Sequence, residues 1–465
     1  MNIIKFYNRE KELDILDRVK KPYLAIIYGR RRIGKTTLIL HHLRDKEFLY
    51  FFVNPRKSES LLLREFTQLL REKNVIEEFV RPKNWEEFFK IIFERYEGVV
   101  VFDEFQWFER IDKSIPFILQ RYWDMYKKPN IVISGSIIGM IKDIFTEEGS
   151  PLFKRGDIII KLKPFDAKTC FQILDDLGIE DLERKFEFYL LFGGVPYYYR
   201  FMEKYDIMNI EDCIKVLVLD ENAPLRNEVE EIMKEAFRGG YRTYLSILFA
   251  IAEGKTKIEE ITGYSDIKPT SLMPYLYDLI DLLGLVEKQR IGFKKKYIYE
   301  INDFFHRFWL RYVYKYSNEL IFNQELVFEI IKKDISNFFG INFERFVREF
   351  VKGYFKEFPR VMKYIGFFRS KGKRRVFDID ILALNDQTRE ILFVECKWQN
   401  GVDAKKICKE LVEKSQYVQW YNETRREKFA IFAKSFTKKI SKFDGKEVFC
   451  FDLEDIVTCR SFSTF

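Results

Sequence analysis

The run Gly29-Arg30-Arg31-Arg32-Ile33-Gly34-Lys35-Thr36 is a complete G-x-x-x-x-G-K-[ST] loop between an apolar stretch, Tyr23 to Tyr28, and a helix-like stretch that begins at Thr37. A strand, a tight glycine turn and a helix in that order restrict the first part of the chain to an α/β sheet with its ligand crevice at the strand ends. Glycines let successive backbone N–H groups turn inward around a phosphate, and the following helix adds its positive end. The loop from Gly29 through Thr36, with Thr37 behind it, is therefore the expected ATP cradle. Lys35 is expected to reach the β and γ phosphates, and Thr36 to hold Mg²⁺ through its hydroxyl.

Composition bounds what the remainder can be. A length of 465 residues suggests about three domains, and 47% hydrophobic residues make the chain globular rather than disordered. Charged residues at 33%, rich in Lys and Glu, lean towards a thermophilic source. Apolar stretches such as Tyr244 to Ala252 are too short to span a bilayer and the N-terminus lacks a signal-peptide pattern, so a cytoplasmic protein without a membrane partner is expected. The 6 cysteines form no C-x-x-C pair and the 3 histidines are too few for a histidine metal site, which leaves carboxylates, lysine and a metal ion to carry the chemistry. A net charge of +8 is compatible with a nucleic-acid partner.

Gly98 to Phe102 is an apolar strand that ends in Asp103-Glu104, the pattern of a Walker B motif. Asp103 is expected to serve Mg²⁺, and Glu104 to orient and activate the attacking water. A third strand, Asn130 to Ser136, ends in small hydroxyl residues, and Ser134 and Ser136 match the place of a γ-phosphate or water sensor, with an ordinary strand-to-loop transition as the equal alternative. Arg155, ahead of the strand Ile158 to Leu162, is a candidate for stabilising transition-state charge in its own chain or a neighbour; a surface charge is the alternative.

Taken together, Phe6-Tyr7-Asn8-Arg9-Glu10-Lys11-Glu12-Leu13, the loop at Gly29, the Asp103-Glu104-Phe105 box, Ser134-Gly135-Ser136 and Gly193-Gly194-Val195-Pro196-Tyr197 resemble the archaeal P-loop ATPase family, in the STAND branch of AAA+ related switch ATPases. The resemblance implies that Arg9 and Glu10 lie beside the adenine, and that the segment holding Pro196 belongs to lid helices near the nucleotide. Asn8 departs from the glycine common in that family.

From Tyr241 the pattern changes to three short helices, Tyr244 to Glu253, Ile258 to Thr262 and Thr270 to Leu283, ending at Gly254, Gly263 and Gly284. A hairpin follows, with Ile291 to Lys295 as a basic wing, so a winged helix-turn-helix is expected. The face of its third helix, with Ser271, Tyr275, Tyr277 and Asp278, carries few cations, which favours relaying the ATPase state over reading DNA bases.

In the last third, Val376 to Leu384 and Ile391 to Trp398 read as two strands joined by the short turn Asn385 to Arg389. Alternation places Asp378 and Asp380 on one face, and Glu395 and Lys397 on one face. Two carboxylates and a lysine on a strand pair resemble the PD-(D/E)xK nuclease superfamily. That resemblance implies Mg²⁺ at Asp380 and Glu395, with Lys397 handling the attacking water and Glu344, on a preceding helix, completing the metal site; Gln416 matches a glutamine frequent in related nucleases. Lys352 to Arg375 adds nine basic residues against one acid, as a phosphodiester substrate would require. The archaeal ATPase family commonly carries a C-terminal domain of this type.

The expected fold is therefore α/β: an AAA+-type P-loop ATPase with helical lid over 1–230, a winged helix-turn-helix over 231–320, and an α/β restriction-endonuclease-like domain over 321–465. The expected function is an ATP-hydrolysing switch coupled to a Mg²⁺-dependent, DNA-acting nuclease domain. The alternatives are a DNA-binding regulator whose nuclease fold is inactive, and a switch that oligomerises on ATP and recruits a protein partner. Without a strand-separating motif, helicase activity is not expected.

Overall fold

Strand β1 (Leu24–Tyr28) is buried along its whole length, as a parallel strand covered by helices on both faces must be. The same holds for β3 (Val99–Asp103) and β4 (Asn130–Gly135), while β2 (Phe48–Phe52) and β5 (Ile158–Lys161) alternate as edge strands do. The computed structural model describes residues 5–145, 148–293, 295–370 and 373–459. They divide into two compact units, Met1–Pro164 with Tyr277–Gly284, and Phe165–Leu276 with Leu285–Phe465.

The first unit is built on these five strands, all parallel and ordered β2-β3-β4-β1-β5. Placing β4 between β1 and β3 sets Ser134 to Ser136 between the glycine loop and Asp103, so three separate sequence motifs end in one crevice.

In the second unit, helices Ala167–Asp176, Leu182–Phe192 and Pro196–Tyr205 come first. Gly194 has a steric reason: a Cβ there would lie 1.9 Å from the Phe165 carbonyl oxygen, and the Phe165 N–H donates to the Gly194 carbonyl at 2.7 Å. Helix Tyr241–Ala252 stops ahead of Gly254 as expected, but the next helix runs over Ile258–Ser265, through Gly263. Asp266, at φ 53°, supplies the left-handed stop instead. Helix Pro269–Tyr277 continues as a π turn, Asp278–Leu282, which is grouped with the first unit.

Hairpin strands β6 (Val286–Ile291) and β7 (Lys296–Ile301) pair antiparallel. The connection between them is not a free wing. Ile291 pairs with Lys363, and the Gly292 N–H donates to the Lys363 carbonyl at 3.1 Å; Lys294 lies outside the described residues. The hairpin thereby becomes the edge of an eight-stranded sheet with β8 (Arg360–Ser370), β9 (Lys373–Asn385), β10 (Glu390–Lys397), β12 (Arg426–Ala433), β14 (Lys442–Phe443) and β15 (Lys446–Phe451), in the order β14-β15-β12-β10-β9-β8-β6-β7. The short pair β11 (Val402–Asp403) and β13 (Phe436–Lys438) forms a separate small sheet.

Long helix Gln324–Tyr354 packs on β8, β9 and β10, and helix Ala404–Ser415 on β9, β10 and β12. Arg345 of the long helix pairs with Glu287 at 2.9 Å, and Arg348 with Glu300 at 3.2 Å and with Gln289 at 2.7 Å. These two ion pairs and the hydrogen bond to Gln289 fasten both hairpin strands to the helix that carries Glu344.

Candidate functional site

In the first unit, Gly34 caps helix Lys35–His42 in the left-handed region, φ 89°, which glycine adopts without steric cost. The buried Lys35 ammonium donates to the carbonyls of Gly29 at 3.0 Å and Arg30 at 3.1 Å. Burial holds its pKa below the usual lysine range; Glu104 and Asp103 oppose that shift and Arg31 adds to it. Ile33 is buried, and Arg30, Arg31 and Arg32 are half-buried, Arg32 with φ 71°. Thr37 is exposed in the first turn of the helix.

Thr36 donates to Asp103 Oδ2 at 2.8 Å, so the two expected Mg²⁺ groups stand together. Tyr50 of β2 also donates to Oδ2, and Ser134 to Oδ1. Burial, and then Asp103, push the Tyr50 phenol far above its ordinary value, so it remains a donor. Glu104 accepts from Ser136 at 2.6 Å and from Gln106. Both hydroxyls expected as sensors therefore reach an acid, Ser134 reaching Asp103 and Ser136 reaching Glu104. Tyr50 and Gln106 are additions. A tyrosine in the apolar run Phe48 to Phe52 gives no sign that its neighbour strand ends in aspartate.

The remaining expected residues scatter. Arg9 is buried, donating to the Lys163 carbonyl at 2.8 Å and the Ile33 carbonyl at 3.4 Å, which ties the N-terminal box to the back of the loop. Glu10 is exposed at the start of helix Glu10–Arg18. Asn8 sits at φ 43°, a left-handed backbone that asparagine tolerates nearly as glycine does, which accounts for the exchange. Arg155 is bound by Asp124 of its own chain, Nε to Oδ1 at 2.9 Å and Nη2 to Oδ2 at 2.9 Å. Pro196 opens helix Pro196–Tyr205 in the second unit.

The second candidate site lies on β9 and β10, which pair antiparallel as expected, with Ile381 opposite Val394. Against β8, however, Tyr364 pairs with Ile379 and Met362 with Leu382, so Lys363 faces two residues, Asp380 and Ile381. This β-bulge follows Ile379, so Asp378 and Asp380 keep the expected common face, away from Phe377 and Ile379, and the alternation shifts only beyond Asp380. Ile379 before it and Leu382 after it enter the same core, Asp378 is exposed, and Asp380 is half-buried beside Glu395. Bulges commonly re-aim a side chain in this way.

Asp380 Oδ2 accepts the Cys396 N–H at 2.8 Å. Its carboxyl is pushed up to about 8, first by burial and then by the charges of Glu344 and Glu395, with the Cys396 N–H and Lys363 opposing. Lys397 lies 2.8 Å from Glu395 Oε1, Lys414 lies 3.1 Å from Glu395 Oε2, and Lys363 lies 3.1 Å from Glu344 Oε2. Three carboxylates and three ammonium groups thus share one site. Burial disfavours the charges of Lys363 and Lys397, yet neighbouring carboxylates outweigh it and both pKa values rise. Among the described residues no three acid, cysteine or histidine side chains converge closely enough to hold a metal ion as they stand. Gln416 caps helix Ala404–Ser415 and is exposed; Lys414, two positions earlier, reaches Glu395 instead. Of the basic stretch, Lys371 lies outside the described residues, while Lys363 works inside the site.

Residues 6–200 match a family described as an ATPase domain predominantly from Archaea, and residues 309–407 a family of archaeal and bacterial proteins of unknown function. An uncharacterized protein of Methanocaldococcus jannaschii is 30% identical over 466 residues, covering 97% of this chain and 99% of the relative. The chain belongs to this archaeal ATPase family. An uncharacterized ATP-binding protein of the same organism is 32% identical to the ATPase over 77 residues, 15% of this chain and 23% of that protein. The Walker-type ATPase of Pyrococcus abyssi, at 20% identity and a TM-score of 0.53, covers 66% of this chain and 96% of its own, a likeness of fold. The ATPase thus has a parallel α/β P-loop unit in which Lys35, Thr36, Asp103 and Glu104 are brought together. No helix among its described residues is long and apolar enough to cross a membrane.

Proposed function

We propose that this ATPase is a switch whose C-terminal site acts on the phosphodiester backbone of DNA with Mg²⁺. The observation that carries the second half is the bulge at Asp380. It spends a residue of sheet register to bring a carboxyl, whose charge is costly there, against Glu344 and Glu395. Such crowding asks for a divalent cation, which Asp380, Glu395 and Glu344 fit chemically, and which would activate water or polarise a phosphoryl oxygen. Lys397 is then placed to handle the attacking water, and Lys363 and Lys414 to face the phosphate charge. In the first unit, Thr36 and Asp103 would share Mg²⁺, Lys35 the β and γ phosphates, and Glu104 the water.

Coupling has a physical path inside the second unit. Trp398 follows Lys397 and Phe343 precedes Glu344; their rings lie 5.2 Å apart, and Phe186 of lid helix Leu182–Phe192 lies 6.3 Å from Trp398 and 6.5 Å from Phe343. A shift of that helix would press on the neighbours of two site residues at once.

A second reading is favoured by the lysines: with Glu395 held by both Lys397 and Lys414, the fold would grip a DNA backbone without cutting it. Mg²⁺-dependent cleavage of linear, branched and single-stranded DNA, with and without ATP, separates the two. Cleavage is expected in the wild type, altered by ATP, and reduced at least about 100-fold in Asp380→Ala and in Lys397→Ala. Binding without cleavage would establish the second reading, and cleavage that survives both substitutions would remove the first.

A further inference from the structure

The second unit holds a cavity of about 440 Å³ lined by none of the residues assigned to either site above. Its size falls within the roughly 300–1,000 Å³ of small-molecule pockets. Helix Phe304–Phe308 continues as a π turn, Trp309–Tyr314. Along it Arg307, Arg311 and Lys315 recur every four residues, and all three line the cavity. The opposite charges on its walls are Glu253, Glu300 and Asp334, while Ile251, Ile330 and Ile341 supply apolar wall.

Equal numbers of cations and acids do not make these walls evenly paired. Lys315 takes Glu253 at 2.7 Å and Arg311 takes Asp334 at 2.6 Å. Glu300 is taken by Arg348, from outside the cavity, at 3.2 Å. Among the described residues, Arg307 donates only to neutral acceptors, Asn342 Oδ1 at 3.3 Å and the Ile301 carbonyl at 3.2 Å. Both contacts sit at the long end of the N–H···O range of about 2.7–3.2 Å, whereas a guanidinium and a carboxylate close to about 2.7–2.9 Å. The neighbouring cations bring acids of their own, Arg345 with Glu287 at 2.9 Å and Lys363 with Glu344 at 3.1 Å. Burial pushes the Arg307 pKa down to about 10; Glu300 opposes that shift, and Arg345 and Arg348 add to it. One cation on the cavity wall is therefore uncompensated, and a guanidinium has five N–H donors to offer an anion.

We propose that this cavity binds a small organic monoanion, a carboxylic acid with an apolar body, its carboxylate on Arg307 and its body against Ile251, Ile330 and Ile341. The planar fork of Arg307 matches a carboxylate in shape, and one negative charge completes the pairing. A phosphate monoester would bring nearly two charges to a wall that also carries Glu300. The isoleucines offer no hydrogen bonds, which disfavours a sugar-like body. The site is independent of the reactions proposed for the other two and does not rest on them.

The full chain is dialysed to equilibrium against radiolabelled benzoate as the probe, with unlabelled hexanoate, benzamide and phenyl phosphate as competitors. A single saturable site is expected. Hexanoate should displace the probe, and the neutral benzamide should do so only at concentrations at least about tenfold higher. Arg307→Met should weaken benzoate binding at least about tenfold, and Arg307→Lys by less, because an ammonium keeps the charge and loses the fork. Ile330→Trp narrows the cavity from its apolar side with Arg307 untouched and should also weaken binding; it decides the matter if Arg307→Met fails to fold by circular dichroism. Absence of saturable binding of benzoate and hexanoate would overturn the proposal. So would benzamide competing as well as hexanoate, which would mark a site for neutral ligands, or phenyl phosphate competing better than hexanoate, which would mark a phosphate site. Benzoate binding unchanged in folded Arg307→Met or in Ile330→Trp would place the ligand elsewhere and overturn it too.

Discussion

The two sites hold their acids in opposite ways. Asp103 and Glu104 are met by uncharged donors, the hydroxyls of Thr36, Tyr50, Ser134 and Ser136 and the amide of Gln106. Glu344 and Glu395 are met by the ammonium groups of Lys363, Lys397 and Lys414. Hydroxyls orient a carboxylate and leave its charge for a cation that arrives with the nucleotide; lysines neutralise it in place. The first site is therefore prepared for a ligand that brings its own counter-charge, while the second is balanced internally, so a cation could enter it only by displacing an ammonium.

The largest effect expected from this contrast lies in the P-loop. Lys35 is buried and bonded to two loop carbonyls, so Lys35→Ala should lower ATP turnover by at least about 1,000-fold, as loss of a group that stabilises phosphate charge does. Loss of the ammonium should also leave Asp103 and Glu104 with their hydroxyl and amide donors intact, so the variant should fold; circular dichroism and a phosphate-release assay check both. Turnover within tenfold of wild type would break the comparison at its stronger end.

The next effect concerns pH. Asp380 is pushed up to about 8, above the ordinary aspartate value near 3.9. A raised folded pKa means that the native state binds this proton more tightly than the unfolded chain. The contribution to stability is present in full below about pH 4 and is lost as pH rises through about 8. With a chelator present, Asp380→Asn should therefore melt at a higher temperature than wild type at pH 9, by more than about 3 °C, and the difference should shrink towards pH 5. Mg²⁺ should raise the wild-type midpoint at pH 9 and leave that of Asp380→Asn nearly fixed. Parallel melting curves across this range would show that the acids of the second site are no more crowded than those of the first.

The contrast was only partly legible in the sequence. Val99 to Phe102 announces itself because a strand buried on both faces has no polar alternation to confuse it, and the glycine loop because its spacing is set by backbone geometry. The antiparallel pairing of β9 with β10 followed from one short turn. What hid was register. The bulge at Asp380 and Ile381 leaves no compositional trace, and alternation, which rightly put Asp378 on the face of Asp380, could not show that the Asp378 end of that face is open to solvent. The lysines hid for a related reason. Lys363 looks like one cation of a basic stretch until pairing sets it across from the bulge, and Lys414 is one of many helical lysines until helix Ala404–Ser415 packs on β10. The docked hairpin escaped likewise, since a wing and an edge strand share one pattern of alternation.

The smallest effect is the sharpest test of internal balance. Lys414 lies 3.1 Å from Glu395 Oε2 with its side chain 26% exposed, so solvent weakens the pair and its contribution is of order 1 kcal/mol at most. Lys414→Met keeps the alkyl stem and removes the charge. Because Lys397 still holds Glu395 Oε1, the carboxylate loses one of two counter-ions and should accept Mg²⁺ more readily. The Mg²⁺ concentration at half-maximal effect, read from melting midpoints so that no cleavage is needed, should fall about two- to fivefold. The matching change in the first unit, Tyr50→Phe, removes a neutral donor from Asp103 and should move the Mg²⁺ requirement of ATP turnover in the other direction, since an oriented carboxylate binds a cation better than a loose one. Shifts of the same sign at the two sites would mean that hydroxyls and lysines play the same part towards their acids, and the contrast would dissolve.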